Sequence, residues 1–220
     1  MEKINYQKQL DRILENVSTM TDKPSLLLHA CCAPCSSYVL EYLMHFFDIS
    51  IFYYNPNIHP EAEYVRRLTE LKNFLPAFDK THQVKLIENP YDPEEFFNAV
   101  NTAAEPELQT EQEKGERCRR CYLFRMSRAY DYAVKNKFDW FTTTLSISPF
   151  KDAEKINVIG KDLELNNSDG PKFLTSDFKK KGGFKRSLEL SKEFGLYRQD
   201  YCGCIFSKQN MGKLPHSADN

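Results

Sequence analysis

The amino-acid sequence predicts an α/β fold in which a parallel sheet of about five strands is covered by helices on both faces. Short apolar runs such as "SLLLHA" at 25–30 and "ISIFYYN" at 49–55 have the length and composition of buried strands. Longer segments with the apolar spacing of amphipathic helices lie between such runs. Strands that alternate with helices are joined by right-handed crossovers, which make the sheet parallel and place helices on each side of it.

The predicted elements follow from local patterns along the chain. Apolar residues at helical spacing from Leu10 to Val17 predict a first helix over residues 4–20. Ser36 and Ser37 are suited to cap the helix that follows the first strand. The other predicted elements are helices over 61–74, 93–100, 118–136 and 151–163, strands over 83–89, 138–145 and 172–176, and a last helix after Gly182-Gly183.

Length and composition indicate one globular domain. The chain has 220 residues, 41% of them hydrophobic and 28% charged, and no repeat or linker divides it. We expect a single domain over 1–220, with an N-terminal helix in 1–22, a core over 25–207 that carries the chemistry, and a flexible tail over 208–220. The acidic segment up to residue 117 and the segment from residue 195 are expected to be irregular.

The sequence contains no recognisable targeting or membrane segment. Its first residues mix acids and bases, unlike a signal or transit peptide. No apolar run approaches the roughly 18 residues that a membrane span requires. We therefore expect a cytoplasmic protein that does not bind membranes.

Seven cysteines fall into three groups, each about 80 residues from the next. The groups are Cys31, Cys32 and Cys35; Cys118 and Cys121; and Cys202 and Cys204. Stable disulfides are rare in a reducing cytosol, where clustered cysteines more often bind metal or do redox chemistry. Cysteines one or two residues apart can present two thiolates to one ion. The three groups therefore predict a metal site that folding assembles.

The number of cysteines exceeds the four ligands of one structural zinc ion or one iron–sulfur cluster. The excess indicates a cluster with a second metal ion, or a cluster beside a redox-active cysteine pair. Simpler interpretations exist for each group. Cys35 also suits the apolar start of a helix, because free cysteine is often buried. Adjacent Cys31 and Cys32 could form a vicinal disulfide, and Cys202 with Cys204 a surface redox pair.

The first cysteine group stands where nucleotide-binding relatives of such folds hold phosphate. Sites of parallel sheets form at the carboxyl ends of strands, so the group after the first strand and residues 142–148 after the fourth are expected to line one crevice. The Gly-x4-Gly-Lys-Ser/Thr, Gly-x-Gly-x-x-Gly and Ser-Gly-Gly-x-Asp-Ser loops are absent. "HACCAPC" occupies the place of the last, so metal ligands replace the phosphate cradle.

Three polar residues near this crevice are candidate catalytic residues, namely His29, Ser148 and Lys151. His29 ends the first strand, and the other two follow the fourth. Each of the first two also has a simpler role: His29 as a hydrogen-bonded core histidine, and Ser148 as a helix cap before Pro149.

Charge is distributed unevenly although the formal net charge is only −1. Residues 88–116 carry nine acids and one lysine, whereas residues 172–198 carry eight basic residues and three acids. The segment 117–128 adds five arginines. Such basic surfaces suit a polyanion, or are simply solvated helix faces.

Five motifs in order along the chain resemble the cobalamin-independent epoxyqueuosine reductases, the QueH-type family. They are "LLLHACCAPCSS", "FYYNPNIHPEAEY", "RCRRCYLFRMSRAYDYA", "FTTTLSISPFKD" and "GGFKRSLELSKEFGLYRQDYCGCIFS". The matches run from about residue 25 to residue 207 and so cover most of the chain.

The resemblance implies an oxidoreductase that reduces the epoxide of epoxyqueuosine, at the wobble position of tRNA, to the alkene of queuosine. It implies a Rossmann-like fold of the ATP-pyrophosphatase (HUP-like) type, a [4Fe–4S] cluster and an adjacent mononuclear iron ion. The implied ligands are Cys31, Cys32, Cys118, Cys121, Cys202 and Cys204, while family members vary at the position of Cys35. An electron donor is required, and the sequence does not identify it.

The same resemblance gives the basic residues a role in binding tRNA phosphates, which position a nucleic acid without specifying its sequence. The candidates are Arg117, Arg119, Arg120, Lys179, Lys180, Lys181, Lys185 and Arg186. Two other functions stay open. One is an iron–sulfur tRNA sulfurtransferase, and the other is a zinc-stabilised module that binds nucleic acid without catalysis.

Overall fold

A computed structural model describes residues 4–211, which fold around a five-stranded sheet with parallel pairing throughout. The strands are β1 (Ser25–His29), β2 (Asp48–Tyr53), β3 (Lys85–Glu88), β4 (Trp140–Thr143) and β5 (Lys172–Phe173). Their order across the sheet is β3-β2-β1-β4-β5. The predicted α/β class and parallel sheet are confirmed, and the arrangement is that of a Rossmann-like fold.

Helices connect the strands and cover both faces of the sheet. They are α1 (Tyr6–Val17), α2 (Ala33–Leu43), α3 (Glu61–Phe78), α4 (Pro93–Val100), α5 (Glu107–Thr110), α6 (Glu116–Lys135), α7 (Ala153–Leu165), α8 (Gly183–Glu193) and α9 (Ile205–Met211), with a 3₁₀ helix at Thr144–Ile147. None of the helices in this described part of the chain has the length and apolar character of a membrane span.

The two faces of the sheet carry separate apolar cores because side chains of a strand alternate between its faces. Leu26 and Leu28 of β1 pack in one core with α1, α2 and α3. Leu27, between them, packs in the other core with α6 and α7, against residues such as Met126 and Ile156. This alternation places one helix layer on each side of the sheet.

The predicted cap of α2 is wrong. The helix begins at Ala33, preceded by an extended Cys32 and with Pro34 in its first turn, a position that proline favours. Ser36 and Ser37 therefore lie inside the helix, where their hydroxyls donate hydrogen bonds to the carbonyls of Cys32 (2.8 Å) and Pro34 (3.0 Å). The helix thus starts directly at the first cysteine group.

Two segments predicted to be irregular contain helices. The acidic segment holds the short α5, and the segment after residue 195 ends in α9. Helix α9 forms because Phe206 packs with Phe96 and Val100 in a small third apolar cluster. Of the tail predicted over 208–220, residues 208–211 belong to α9, and 212–220 lie outside the described residues.

The helix after β4 also begins later than its pattern predicts. Asp152 caps α7 by accepting hydrogen bonds from the backbone N–H groups of Glu154 (3.0 Å) and Lys155 (3.1 Å). Ser148 is therefore not the cap of this helix. Its hydroxyl instead accepts a hydrogen bond from the N–H of Phe150, at 3.3 Å, in the preceding loop.

Candidate metal centre

The three cysteine groups meet near the carboxyl edge of the sheet, beside the point where the strand order reverses between β1 and β4. The first group follows β1 and opens α2. The second lies on the first turns of α6, and the third directly precedes α9. The charge of one buried arginine, Arg125, acts on a cysteine of each group, namely Cys31, Cys121 and Cys202. Folding has therefore brought the three groups together.

The sulfurs of Cys31, Cys32 and Cys35 all lie within 4.8 Å of one another. The Cys31 and Cys32 sulfurs are 3.8 Å apart. Hydrogen bonds from Cys32 and Cys35 lower the pKa of the Cys31 thiol well below its usual value. Burial raises the pKa of Cys32 to about 12. Cys31 is therefore the most acidic thiol of this group.

The second and third cysteine groups lie next to each other. Cys118 and Cys121 are three residues apart on α6 and so share one helix face. The charge of Cys202 acts on both of them. A hydrogen bond from Cys204 and the nearby ammonium of Lys151 lower the pKa of Cys202 well below its usual value. Cys202 is thus the most acidic thiol among these four.

Two buried arginines supply positive charge between the groups. Arg125 is 1% exposed and donates a hydrogen bond from Nη2 to Asn55 Oδ1 at 2.5 Å. Its Nε has no partner among the described residues. Arg67, also 1% exposed, is paired with Glu63 at 2.7 Å, and its charge acts on Cys31 and on the adjacent Cys32.

This donor set fits a metal held by thiolates. Buried charges require a partner of opposite sign, yet within residues 4–211 Arg125 has no carboxylate in hydrogen-bond contact. Lys151 likewise has the Cys202 sulfur as its hydrogen-bond partner. Cysteines are the largest sources of negative charge that act on both cations, and thiolates are ligands for zinc and for iron–sulfur clusters. The Cys31, Cys32 and Cys35 group is therefore able to bind a metal.

A cavity of about 710 Å³ opens next to the cysteines. Cys31, Cys35 and Cys202 form part of its wall. Its other lining residues include Pro34, Glu113, Lys114, Ser148, Phe150, Lys151, Phe184, Arg198, Asp200 and Tyr201. A small molecule or a single nucleotide side group that enters this cavity reaches two of the three cysteine groups.

The three predicted catalytic candidates occupy different positions. Lys151 lines the cavity, and its Nζ donates a hydrogen bond to Cys202 Sγ at 2.6 Å. Ser148 also lines the cavity and is half-buried. His29 is 1% exposed and lies in the core, with Nδ1 2.8 Å from Thr143 Oγ1 and Nε2 3.2 Å from the carbonyl of Tyr54.

His29 is a neutral core histidine. Burial, and then the charge of Arg125, lower the pKa of its imidazole to about 3. Because Nε2 faces a carbonyl, it carries the proton, and Nδ1 accepts from the hydroxyl of Thr143. This position matches the simpler interpretation of His29 and removes it from the side chains that face the cavity.

Most predicted phosphate-binding residues are already occupied by other partners. Arg117 is 1% exposed, and its guanidinium donates to the carbonyls of Leu108, Gln109 and Glu111, so it supports the α5 segment and is not available to an external phosphate. Five others are in ion pairs: Arg119 with Glu116, Arg120 with Glu105 and Glu116, Lys179 with Asp177, Lys181 with Asp11, and Arg186 with Glu41. Lys180 and Lys185 are exposed, without an ion pair among the described residues.

The sequence patterns did not identify Arg67, Asn55 or Arg125, although all three surround the cysteines. A signal for Arg125 existed, because it lies four residues after Cys121 and seven after Cys118, on one face of α6. Asn55 follows β2 in a loop and gave no such signal. The structure shows that its side chain joins the carbonyl of Ala30 (2.8 Å) to Arg125.

Comparison with known proteins gives one consistent family. The family model described as epoxyqueuosine reductase QueH matches residues 26–210. A protein of that name from Staphylococcus epidermidis is 40% identical over 213 residues, which cover 96% of this chain and 87% of that protein. Another from Streptococcus pyogenes is 40% identical, covering 96% and 81%. One from Thermotoga maritima is 36% identical, covering 83% and 90%.

Proposed function

Because this chain belongs to the epoxyqueuosine reductase QueH family, we propose that it reduces the epoxide of epoxyqueuosine in tRNA to the alkene of queuosine. One structural observation carries the proposal for this chain. All three cysteine groups, which are far apart in the sequence, gather around buried cations at the edge of a cavity able to admit part of a nucleotide. An oxidoreductase of this family requires such a combination of electron-transfer ligands and substrate cavity.

The reaction defines what the site must supply. Reduction of the epoxide breaks two C–O bonds, forms one C=C bond, takes up two electrons and two protons, and releases water. The electrons come from an external reductant. The site must therefore hold a group that transfers single electrons, polarise the departing oxygen and deliver protons to it.

We infer that the seven cysteines hold a [4Fe–4S] cluster and a mononuclear iron ion. Cys31, Cys32 and Cys35 would hold one of these centres, and the group of Cys118, Cys121, Cys202 and Cys204 the other. When bound, these groups supply electrons one at a time and a Lewis acid for the epoxide oxygen. Arg67 and Arg125 would balance the negative charge of the thiolates.

Among the three catalytic candidates, we assign delivery of the proton to Lys151. Its ammonium lies in the cavity wall beside Cys202, whereas His29 is enclosed in the core. A proton held on Nζ is therefore close to any oxygen that leaves within the cavity. Ser148, in the same wall, would help to orient the substrate by hydrogen bonding.

The tRNA contact is proposed for exposed basic residues that are in no ion pair among the described residues. Lys180 and Lys185 remain from the predicted set, and Lys114 and Arg198 are added because both line the cavity. Phosphate contacts of this kind position the RNA. The modified nucleotide would leave the base stack to reach the cavity, as enzymes that act on bases require.

Anaerobic purification followed by turnover tests this proposal. The protein is expected to be brown, with several iron ions and with sulfide, and to convert epoxyqueuosine to queuosine in tRNA when dithionite is supplied. Mass spectrometry of the digested nucleosides measures the product. Cys118→Ser and Cys121→Ser are expected to lose both iron and turnover. A surface substitution that involves no cysteine, Glu189→Gln, should leave iron content and turnover unchanged.

Other outcomes point to the alternative functions. A colourless protein that contains one zinc ion and binds tRNA without converting it would replace the reductase by a zinc-stabilised binding module. Appearance of a thiolated nucleoside would replace it by a sulfurtransferase. A Cys118→Ser variant with full iron content and full turnover would refute the assignment of that ligand.

A further inference from the structure

We propose that Phe150 is the surface on which the base of the modified nucleotide stacks at the mouth of the cavity. This inference rests on the proposed function and adds to it a residue that positions the substrate. Phe150 precedes Lys151 in the loop between the 3₁₀ helix and α7, and both side chains line the cavity. The two neighbours have opposite surroundings: Lys151 reaches Cys202, whereas the ring of Phe150 is 69% exposed.

The exposure of Phe150 is unusual within this structure. Eight large hydrophobic side chains are exposed among residues 4–209, and Phe150 is the one aromatic ring in that set and the one that lines the cavity. Single exposed aliphatic residues are common and need no explanation. A phenylalanine ring at a cavity entrance differs, because its apolar face stays in water until a flat partner covers it.

Nothing in the described part of the chain covers this ring. Phe150 belongs to none of the three apolar clusters, and it takes part in none of the aromatic pairs there. Its loop is held by the hydrogen bond from its own N–H to Ser148 Oγ and by the preceding Pro149. The ring is thus presented on a fixed support rather than folded into the core.

The surroundings of the ring match a nucleotide. The basic side chains of Lys114 and Arg198 line the same cavity, and neither is in an ion pair within residues 4–211. Aromatic side chains stack on unpaired bases of RNA, and nearby cations bind the flanking phosphates.

The two-part chemistry of the substrate nucleotide, a base and a reacting ring, agrees with this geometry. The epoxide lies on a cyclopentane ring attached to the base, so the reacting ring and the base are separate parts of one nucleotide. With the base on Phe150, the cyclopentane ring would extend toward Lys151 and Cys202, which lie deeper in the wall. Phe150 would therefore affect binding more than the chemical step.

Variants of Phe150 test this role through the separation of KM and kcat. Stacking of one base is worth about 1–3 kcal/mol, so Phe150→Ala is expected to raise KM for the modified RNA about 5- to 150-fold with little change in kcat. Phe150→Trp should keep KM close to the wild-type value. Phe150→Leu, which is apolar but lacks a π face, should raise KM as Phe150→Ala does. Leu165→Ala is the matched control, because Leu165 is 79% exposed and does not line the cavity.

A second measurement does not depend on turnover. In Phe150→Trp, the new indole should be quenched when an unmodified anticodon stem-loop RNA is added to the anaerobically purified protein. The reference is Leu165→Trp, in which RNA should quench no more than in the wild type with its single Trp140. If the wild type fails to convert the modified RNA while quenching occurs, the proposed function fails and the stacking role stands. Unchanged KM in Phe150→Ala, or equal quenching in both tryptophan variants, would overturn the stacking role.

Discussion

Lys151 Nζ and Cys202 Sγ lie 2.6 Å apart in the wall of the cavity, although 51 residues separate them in the chain. Burial alone would lower the pKa of Lys151, but the neighbouring Cys202 thiolate outweighs it, so the pKa of this ammonium is raised well above its usual value. The pKa of Cys202 is lowered in turn. The contact is therefore an ion pair that joins the loop after β4 to the last cysteine group.

Two variants of Lys151 test whether its proton and its positive charge have separate roles. Lys151→Met removes both and is expected to lower kcat by roughly 100-fold or more, the range of general acid catalysis. Lys151→Arg keeps a positive charge beside Cys202 but replaces the compact ammonium by a larger planar guanidinium, so metal content should stay normal while turnover stays low. Steady-state kinetics and iron analysis measure the two effects. Lys161→Met, on the outer part of α7 and paired with Glu164, is the control, and full turnover in Lys151→Arg would exclude a proton donated from Nζ.

Arg125 should control the charge balance of the metal centre. In Arg125→Gln the amide can still bond to Asn55, but the buried positive charge is lost. Removal of a cation near thiolate-bound iron makes reduction harder, so the reduction potential should become more negative. A redox titration followed by electron paramagnetic resonance measures the shift.

The control for this change lies one turn further along the same helix. Arg128 is half exposed and pairs with Glu95, so Arg128→Gln should cost no more than about 1 kcal/mol of stability and leave the potential unchanged. Equal potentials in the Arg125 and Arg128 variants would contradict an electrostatic role for Arg125.

Gly203 holds the last cysteine pair in position. Its φ of +115° lies outside the range that side chains favour, and an added Cβ would stand 3.0 Å from Arg67 Nη1 and 3.1 Å from Ile58. Gly203→Ala is expected to cost about 1–3 kcal/mol and to reduce metal content, because the loop that carries Cys202 and Cys204 must shift. Chemical denaturation and iron analysis measure both.

Gly195→Ala is the control that has the backbone strain of Gly203→Ala without its steric contacts. Gly195 also has a positive φ, +61°, but no atom lies within 4 Å of its added Cβ. This variant should lose about 1–2 kcal/mol and keep its metal. Normal metal content in Gly203→Ala would show that the Cys202 loop tolerates the shift.

Asp79 should make stability depend on acidity at a site remote from the cysteines. Burial raises the pKa of its carboxyl, but hydrogen bonds from Thr81 and from the N–H of Val84 outweigh this effect, and the net pKa lies below the ordinary value of 3.8. The carboxylate therefore stabilises the fold above that pH, and the benefit declines as the pH falls through the lower folded pKa.

Asp79→Ala should accordingly lose about 1.5–3 kcal/mol at neutral pH, and the difference from the wild type should narrow below about pH 4. Urea unfolding at a series of pH values measures this. Asp48→Ala, at an exposed strand start, is the control and should change little at any pH. A difference that stays constant down to the acid limit would show that Asp79 acts through packing and not through its charge.

The sheet and the convergence of the cysteines were predictable because they depend on the alternation of strand and helix patterns along the chain. Leu26, Leu27 and Leu28 are apolar without alternation, as expected of a strand covered on both faces. A parallel sheet then places Cys31 and residue 148 at the same edge. These inferences need no knowledge of individual contacts.

The charged part of the centre could not be predicted in the same way. Arginine is rarely fully buried unless it is paired, so Arg67 and Arg125 read as surface residues in the sequence. Each has one partner on its own helix, Glu63 for Arg67 and Cys121 for Arg125, but the other cysteines around them come from distant segments. Arg117 was predicted to belong to a basic surface, because other arginines follow it in the sequence. It is buried instead, since its guanidinium donates to carbonyls of the α5 segment. The seven residues of α9 are likewise too short to show helical periodicity.

The distribution of the cysteines along the chain also sets the order of events during synthesis. The ribosome makes Cys31 and Cys32 long before Cys202 and Cys204, so the complete ligand set does not exist until nearly all described residues have been translated. Until then, the early thiols are open to competing ions, of which copper and zinc bind sulfur more strongly than ferrous iron. Domains fold as units, and in this fold Cys31 and Cys32 end 8% and 0% exposed. Enclosure of the first cysteines therefore waits until the later strands and the last cysteines have been made, so insertion of the correct metal has to follow their synthesis.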